Sequence, residues 1–391
     1  MAANDLTFEQ IVTVLNSIAQ QATGQAQLTA TNTSDFITVA QTTLKAGADP
    51  IMNAISQTLS KTIFSIRPYF EKFQGLRVDS VRWGNHVRKL NSVDRPFIQA
   101  EKWNLVDGST VDPFVIRQPE VLQTNFYGAD TYADELTVFD DQLDNAFKGP
   151  DEFGSFISMI MSNITDKHAQ AREALARACI ANLIGGKVAG DAGNVIHLLT
   201  EYNTATGITP ALTGQTVLQP ANYAPFMKWV YARIAELSSK MTERSIKYHI
   251  NVTGKEIARH TPLERQKVFF YGPARYSTEA RVLADTYHDN FIRYAYDETV
   301  NYWQAIDDPA AVNVKATYMG SAGTLITSAN AAKTDNIFAV LMDEEAAGYT
   351  TIHEKMGSIY NPRGEYSNIF WSFDLRYFND FTENCIVFLM D

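Results

Sequence analysis

One stretch decides how this chain is organised: residues 149–184, which read GPDEFGSFISMIMSNITDKHAQAREALARACIANLI. Pro150 suits the first position of a helix, because its missing N–H would have no partner there. Asp151 and Glu152 then place negative charge at the positive end of the helix dipole. Apolar residues recur at the three- and four-residue spacing that keeps them on one helical face: Phe156, Ile157, Ile160, Ile164, Ala171, Leu175, Ala178 and Leu183.

The length of this helix follows from its end signals. The pair Gly185–Gly186 predicts a stop, since glycine adopts the left-handed cap conformation without a steric clash. A helix over residues 149–184 would be about 50 Å long, several times the average. Lys167, His168 and Gln170 replace the apolar stripe in the middle of the helix. We therefore expect its buried face to be interrupted there or to pack on something outside the chain.

The composition indicates a folded, acidic protein, and its length predicts either two or three compact units or one core with long excursions. Of the 391 residues, 45% are hydrophobic and 12% aromatic, enough to build a sizeable core. The net charge of −11 argues against tight sequence-independent DNA binding, which needs dense positive charge. Cys179 and Cys385 have no disulfide or metal-ligand spacing, so we expect two small buried hydrophobes. Without a signal-peptide pattern or a long apolar run, we expect synthesis in the cytosol and no membrane segment.

Around the long helix, helical and strand-like patterns alternate. They divide the chain into six segments: a helical arm (1–61), a first strand-rich part (62–81), an extended ribbon (82–139), the long helix with its approach (140–186), an α+β insertion (187–335) and a β-rich return (336–391). Within the arm we predict helices near residues 8–18, 35–45 and 49–61. Further predictions are a helix over Tyr223–Met241, a strand over Ile246–Val252, a short helix from Thr253 to before Pro262, a helix over Ser277–Tyr287, a loop at 320–323, strands over Ile337–Leu341, Tyr349–Ile359 and Cys385–Leu389, a type I turn at Asn361–Gly364, and a strand with alternating Ile369, Trp371, Phe373, Leu375 and Tyr377.

The ribbon prediction rests on residues 91–136, which are polar, charged and free of a helical pattern, with strand-like apolar runs at 114–116 and 121–122. A loop of this length is generally functional, and a long two-stranded ribbon cannot bury enough of itself to be stable alone. Its charges change sign along the chain: Arg82, Arg88, Lys89 and Arg95 come first, then Glu101, Asp107, Asp112 and Glu120. We expect these eight residues to contact a neighbouring subunit, the alternative being an ordinary solvated hairpin.

The sequence contains no phosphate-binding loop, no His-Glu-x-x-His helix and no Gly-x-Ser-x-Gly elbow. His249 and His260 share no helical face, and His353–Glu354 lies on a predicted strand, where neighbours point in opposite directions. We interpret Asp140–Asp141 and Asp144 as a polar turn before the long helix rather than a cation site. We therefore assign no catalytic, cofactor or metal site.

The order of arm, ribbon, long helix, α+β insertion and β return resembles the HK97-type major capsid protein of tailed bacteriophages. Two motifs resemble its short-tailed, phi29-like branch. DDQLDNAF at residues 140–147 continues through FGSF at 153–156 into the helix, and NPRGEY at residues 361–366 precedes the aromatic strand. The chain departs from that branch in its longer helical arm, and its C-terminal part has no pattern of an extra immunoglobulin-like domain.

This resemblance implies an α+β HK97-type fold in which the ribbon is the E-loop and residues 187–335 form the axial domain. Residues 62–81, 140–186 and 336–391 would form the peripheral domain. It also implies self-assembly into hexamers and pentamers of an icosahedral or prolate shell around double-stranded DNA. The expected partners are further copies of the chain, a scaffolding protein, a portal protein and the packaged DNA. Assembly would occur in the host cytoplasm and yield the virion capsid, with no cofactor and no enzymatic activity. Some family members crosslink a Lys to an Asn through an acidic residue, and we predict no such trio here.

Two alternatives remain open from the sequence. An encapsulin-type nanocompartment shell has the same fold and would enclose an enzyme cargo in place of DNA. A multi-domain hydrolase is a more distant possibility, and it would need a concave pocket with convergent polar groups.

Overall fold

A computed structural model describes residues 8–24, 29–46, 50–51, 54, 71–78, 86–93, 105–114, 116, 118, 120–127, 130–252, 256–281 and 296–391. The helices are α1 (Phe8–Thr23), α2 (Thr33–Leu44), α3 (Asp140–Ala146), α4 (Pro150–Gly190), α5 (Leu198–Thr206), α6 (Pro220–Met241) and α7 (Gly272–Arg281). The strands are β1 (His86–Ser92), β2 (Val121–Tyr127), β3 (Asp130–Phe139), β4 (Val195–His197), β5 (Gln266–Tyr271), β6 (Tyr296–Val300), β7 (Val312–Val314), β8 (Thr317–Met319), β9 (Leu325–Thr327), β10 (Ala332–Thr334), β11 (Ile337–Asp343), β12 (Ala347–Asn361), β13 (Tyr366–Asn379) and β14 (Cys385–Leu389). This mixture confirms the predicted α+β class.

Helix α4, called the spine helix below, has 41 residues and is therefore about 61 Å long. It begins at Pro150 as predicted, but the prediction that Gly185–Gly186 would end it is wrong. A Cβ atom at Gly185 would lie 2.5 Å from Val314, and one at Gly190 would lie 2.5 Å from the Tyr318 ring. These glycines let β7 and β8 approach the helix closely, so they serve packing rather than termination.

The N-terminal half of the spine helix carries what we call the arm core. Ile11, Leu15 and Ile18 of α1 and Phe36 of α2 are buried there against Phe153 and Ile157 of the helix. The Phe36 and Phe153 rings meet edge to face, with centroids 6.0 Å apart. The arm helices thus lie on the spine helix of their own chain. Of the predicted third arm helix, residues 50, 51 and 54 are described and are helical.

The middle of the spine helix is polar, as the sequence indicated. Lys167 forms an ion pair of 2.8 Å with Asp134, and the His168 ring lies 4.3 Å from the Phe373 ring. Below this point, Leu175, Cys179, Ile180 and Leu183 enter a second core. The buried face is therefore interrupted, and the helix joins two cores.

A three-stranded antiparallel sheet, in the order β12–β13–β3, packs on the spine helix. The predicted alternation in β13 is confirmed from Ile369 to Leu375, whose side chains are buried at every second position. It fails at Tyr377, which is exposed while Arg376 is buried. The predicted turn is confirmed: the Gly364 N–H donates to the Asn361 carbonyl oxygen at 3.3 Å.

A five-stranded mixed sheet has the order β4–β14–β11–β5–β6. One face, with Phe269, Val340 and Val387, belongs to the second core on the spine helix. The other face, with Phe270 and Leu341, packs under helices α5 and α6 in a third core. The boundary that we predicted between residues 335 and 336 therefore divides one sheet, because β11 and β14 pair with strands of the 187–335 segment.

Several local predictions are wrong or only partly met. Residues 246–252 form no strand, because their backbone groups are used in tertiary contacts: the Ile250 N–H donates to the Phe381 carbonyl oxygen at 2.9 Å. Residues 256–262 are not helical, and Phe114 lies in a turn instead of a strand. Helix α7 begins five residues before the predicted Ser277. The predictions for residues 62–70, 253–255 and 282–287 lie outside the described residues.

Candidate assembly surfaces

The first candidate surface is the antiparallel β1–β2 ribbon, in which His86 lies opposite Tyr127 and Ser92 opposite Val121. Paired residues share a face, and successive residues alternate between faces. The face that packs on the body of the chain carries Lys89, Asn91, Leu122, Thr124 and Phe126; the Phe126 and Phe378 rings lie 5.4 Å apart. On the opposite face, Leu90 and Val121 each expose 61% of their surface. The ribbon is thus held by one face and presents apolar side chains on the other.

Lys89 fixes the base of the ribbon. Its Nζ lies 3.0 Å from a carboxylate oxygen of Glu345, 3.0 Å from one of Asp380 and 2.5 Å from one of Glu383. Glu345 belongs to the turn between β11 and β12, whereas the other two belong to the turn between β13 and β14. Only 18% of the Lys89 side chain is exposed, so solvent screens this cluster less than an ordinary surface ion pair.

Two arginines extend the cluster. Arg259 lies 2.7 Å from Glu383, and Arg265 binds Glu344 at 2.5 Å and also contacts Glu345. Burial alone would lower the pKa of Lys89, but the surrounding carboxylates outweigh it and raise that pKa. Burial also raises the pKa of Glu383, despite the neighbouring cations. The raised pKa of Lys89 and the raised pKa of Glu383 are compatible, because several carboxylates crowd around one ammonium group.

The eight charged residues predicted to contact a neighbouring subunit have different surroundings in the structure, and three of them lie outside the described residues. Lys89 forms ion pairs within its own chain, and its contact with a neighbouring subunit stays a prediction. Asp107, Asp112 and Glu120 are exposed, and for them the neighbouring contact stays a prediction. Arg88 contributes its backbone to β1. Arg82, Arg95 and Glu101 lie outside the described residues.

The loop at residues 105–114 is a second candidate surface and is shaped by two turns. The Ser109 hydroxyl accepts a hydrogen bond from the Val106 N–H at 2.9 Å, and Asp112 Oδ1 accepts one from the Phe114 N–H at 2.9 Å. Large apolar side chains point to solvent here and just beyond the loop, at Leu105, Val106, Val111, Phe114 and Ile116, and the last two are each 84% exposed. Concentrated exposed apolar surface is typical of interaction sites, which makes this loop a candidate. The sequence signal was present, but we interpreted it as a strand.

The outer face of the three-stranded sheet carries a third surface. Phe139, Ile359 and Phe370 are exposed there, and the Phe139 ring meets that of Tyr366 at 5.9 Å. Gly357, opposite Phe370, has open space where a side chain would lie. Pattern reasoning missed this patch because it followed only the buried positions of β13.

Beside this patch, the two sequence motifs that carry the resemblance, residues 140–147 and 361–366, contact each other. The Asp140 N–H donates to the Glu365 carbonyl oxygen at 3.0 Å, and the Tyr360 hydroxyl donates to Asp140 Oδ2 at 2.8 Å. Phe139 pairs with Tyr366 in the sheet. Residues 140–147 and 361–366 thus form one corner of the fold. Asp140 and Asp141 lie in the first turn of the short helix α3, where we had predicted a polar turn.

A groove on the spine helix is the fourth surface and encloses about 870 Å³. Its lining includes the small side chains of Ala174, Ala178 and Ala181. Tyr302, Lys315 and Tyr377 also line it. Apolar and polar side chains therefore both face the groove.

The described residues contain no chemical centre of the kinds that we considered. No group of three or more His, Cys, Asp or Glu side chains among them could hold a metal ion. His249 is buried, with Nε2 2.8 Å from the Ile257 carbonyl oxygen and Nδ1 3.0 Å from the Asn384 amide oxygen, and burial lowers its pKa. Burial raises the pKa of both free thiols, Cys179 and Cys385, to about 12. Within the same part of the chain, no helix combines the length and apolarity that crossing a membrane requires.

Solved structures share this fold. The chain resembles one in the capsid structure of Staphylococcus phage Andhra, with a TM-score of 0.55 and 11% identity, covering 85% of this chain and 87% of that one. It also resembles a chain in the structure of the head fibre and inner core protein gp22 of native bacteriophage P68, with a TM-score of 0.53 and 12% identity, again covering 85% and 87%. At such low identity these likenesses establish the fold only. No curated protein sequence matches the chain.

A protein-family comparison extends the likeness from fold to family. The model of the Phi29-like phage major capsid protein matches residues 14–389, which include every element from the spine helix to β14 and nearly all of the arm. The two motifs that meet at the corner of residues 140–147 and 361–366 lie within the match. This chain belongs to the Phi29-like phage major capsid protein family.

Proposed function

We propose that this major capsid protein forms hexamers and pentamers, which build an icosahedral or prolate shell around the double-stranded DNA of a tailed phage. The ribbon acts as the E-loop and lies on the spine helix and peripheral domain of the adjacent subunit. Assembly takes place in the host cytoplasm with a scaffolding protein and a portal protein. DNA contacts the inner surface without sequence specificity.

One observation carries this proposal: the ribbon is fixed at its base by Lys89 while its outer face and the 105–114 loop expose apolar side chains. A monomer rarely leaves many large apolar side chains of one region in water. Ribbon and receiving surface lie on different parts of one chain, so the contact is heterologous, and such contacts close into rings when the rotation permits. Each modest interface is then multiplied by the number of copies.

The comparisons give no support to the encapsulin-type shell or the hydrolase. Particle contents separate the first of these from the phage shell, since a nanocompartment would enclose protein and a phage head would enclose DNA.

Sedimentation of the purified chain, with negative-stain imaging of the fastest fraction, tests the proposal. We expect uniform shells, either from the chain alone or after co-expression with a scaffolding protein from the same phage. A chain that stays monomeric under both conditions would refute it.

A further inference from the structure

We propose that the outer face of the three-stranded sheet is a two-fold contact between copies of this chain, in which each copy's Phe370 ring fills the gap above the partner's Gly357. This inference rests on the proposed assembly. A contact in which one subunit reaches onto the next closes a ring, and it does not join one ring to another. A shell of rings needs a second contact, and one that falls on a two-fold axis must be complementary to itself.

The face carries a projecting ring and a gap side by side. Phe370 of β13 and Gly357 of β12 lie opposite each other in the sheet, so both belong to its outer face. Phe370 exposes 41% of its surface. A Cβ atom at Gly357 would have no heavy atom within 4 Å, so the Phe370 ring of the same chain does not fill the gap. A protrusion and a recess are therefore one strand apart on a single surface.

The register of the sheet defines the two-fold axis. An axis parallel to the strands, placed between β12 and β13, sets each of these strands over the other strand of the partner. It brings Phe370 over the partner's Gly357, and the partner's Phe370 over Gly357. Ile359, which is 60% exposed, comes over the partner's Asn368, because these residues are also paired in the sheet. Sheets that pack face to face with nearly aligned strands interdigitate their side chains in this way.

The charges on the face agree with the same axis. Lys355 is exposed and forms no ion pair with any residue that the structure describes. It lies opposite Ser372 in the sheet, so the axis brings it over the partner's Ser372, beside the partner's Asp374. Asp374 accepts a hydrogen bond from the Thr131 hydroxyl at 2.6 Å. A cation thus meets a carboxylate twice in each contact, which favours a second copy of this chain as the occupant.

Exchanging the ring and the gap tests the contact. Gly357→Phe gives the face two rings and no gap, Phe370→Gly gives it two gaps and no ring, and the double variant restores one of each in exchanged positions. We expect each single variant to lower the particle yield in sedimentation about tenfold or more, the effect of losing a buried aromatic anchor. We expect the double variant to recover most of that yield, which a merely structural role of either residue would not allow.

Leu325→Phe is the matched control. Leu325 lies on β9 and exposes 70% of its surface, so this substitution also adds a ring to an exposed strand. We expect it to assemble normally. Thermal unfolding followed by circular dichroism accompanies each variant, and unchanged melting temperatures show that folding is intact.

Crosslinking gives a second readout that needs no change at the ring or the gap. In a two-fold contact, a residue near the axis lies close to its own copy in one partner. We expect a short bis-maleimide to join Ile359→Cys chains of intact shells into dimers, and into nothing larger, on a denaturing gel. The buried Cys179 and Cys385 do not compete for the reagent. Leu325→Cys, also exposed, is expected to give no dimers.

The outcomes separate this contact from the proposed function. Normal shells from Gly357→Phe, a double variant as defective as the worse single variant, or shells without dimers at residue 359 would each overturn the contact and leave the proposed function standing. A different protein, or the ribbon of a neighbour, on this face would give those results. Absence of wild-type shells, with or without a scaffolding protein, would instead refute the proposed function and the contact with it.

Discussion

Lys89 shows how much one residue contributes to the position of the ribbon. Replacing it in Lys89→Met keeps the length of the side chain but leaves Asp380 and Glu383 buried without their ammonium partner. Breaking a largely buried ion pair on one side costs about 3 kcal/mol. We expect that loss in the free energy of unfolding, measured with urea on the unassembled chain.

The matched control is Lys333→Met. Lys333 also bridges two carboxylates, Asp308 at 2.7 Å and Asp335 at 2.8 Å, but its side chain is half exposed. Solvent and salt screen such a pair, so we expect no measurable change. Equal destabilisation by the two substitutions would show that burial of the Lys89 cluster is not what stabilises it.

The two thiols provide a test of burial by pH. Because burial raises the pKa of Cys179 and Cys385 to about 12, both stay protonated and unreactive in the native chain at pH 8. We expect no labelling by a thiol reagent in buffer and labelling of both in urea. An unfolded thiol ionises near 9, so the folded chain binds more protons between pH 9 and 12, and its free energy of unfolding falls across that range. Rapid native labelling of either thiol would contradict its burial.

At this scale the sequence predicted classes of residue better than partners. The burial of the two cysteines was foreseen, because an isolated cysteine without a ligand pattern behaves as a small hydrophobe. The partners of Lys89 were not foreseen, since Asp380 and Glu383 lie almost 300 residues further along the chain and no local pattern joins them.

At the scale of secondary structure, two effects oppose each other at Gly185 of the spine helix: helix propensity favours alanine there, and packing favours glycine. Gly185→Ala improves helix propensity by about 1 kcal/mol. It also places a methyl group 2.5 Å from Val314 and 3.2 Å from Ala316, and a stiff β-branched neighbour yields little. Overpacking of this kind costs about 1–3 kcal/mol, so we expect net destabilisation, measured by thermal unfolding.

Gly357→Ala is the control, because open space surrounds that position in β12. Restricting the unfolded chain there leaves stability unchanged or slightly higher. A stabilised Gly185→Ala variant would mean that β7 does not press on the helix.

Adjacent residues of β13 test the faces of its sheet. Trp371 is buried and Phe370 is exposed on the opposite face. Trp371→Asp buries an unpaired carboxylate at a cost of several kcal/mol, and we expect no folded subunit, whereas Phe370→Asp yields a folded one. Circular dichroism of the soluble fraction distinguishes them. A folded Trp371→Asp chain would contradict the assignment of Trp371 to the buried face of β13.

Elements with strong periodicity were predicted well, and elements defined by tertiary contacts were not. Helix α6 and strands β11 to β14 lie where the alternation of apolar residues placed them, to within a few residues. Residues 246–252 alternate like a strand, but their N–H and carbonyl groups bond to other segments, so no ladder forms. Gly185 illustrates the same limit, because glycine signals either a helix end or a close contact and the sequence does not distinguish them.

At the scale of the whole molecule, the segment between Val93 and Glu120 can be replaced while the pairing of β1 with β2 is kept. The Val93 N–H donates to the Glu120 carbonyl oxygen at 3.0 Å, which closes the ladder beyond Ser92. Replacing residues 94–119 by Asn-Gly, the preferred two-residue hairpin turn, preserves this pairing and deletes the exposed loop. We expect a subunit with wild-type circular dichroism that forms no shells in sedimentation.

Replacing residues 321–322 of the β8–β9 turn by Asn-Gly provides a control for turn replacement in general, and it should assemble normally. Shells of normal yield from the variant that lacks residues 94–119 would show that these residues are dispensable for assembly.

The order of segments along the chain, together with the motifs at residues 140–147 and 361–366, was enough to show a resemblance to capsid proteins. Sequence order did not reveal that β11 and β14 complete a sheet with β4, β5 and β6. Pairing between strands that are distant in sequence depends on how entire sheet and helix faces pack together. A short stretch of sequence does not contain that information.

The unbroken spine helix makes the subunit a lever. It passes without a break from the arm core to the sheet under α5 and α6, so both ends turn together. Over about 61 Å, a tilt of about 5° at one end displaces the other by about 5 Å, more than the rise of one residue along a strand. A small change of angle where the arm rests is thereby converted into a change of register where the far sheet meets its surroundings.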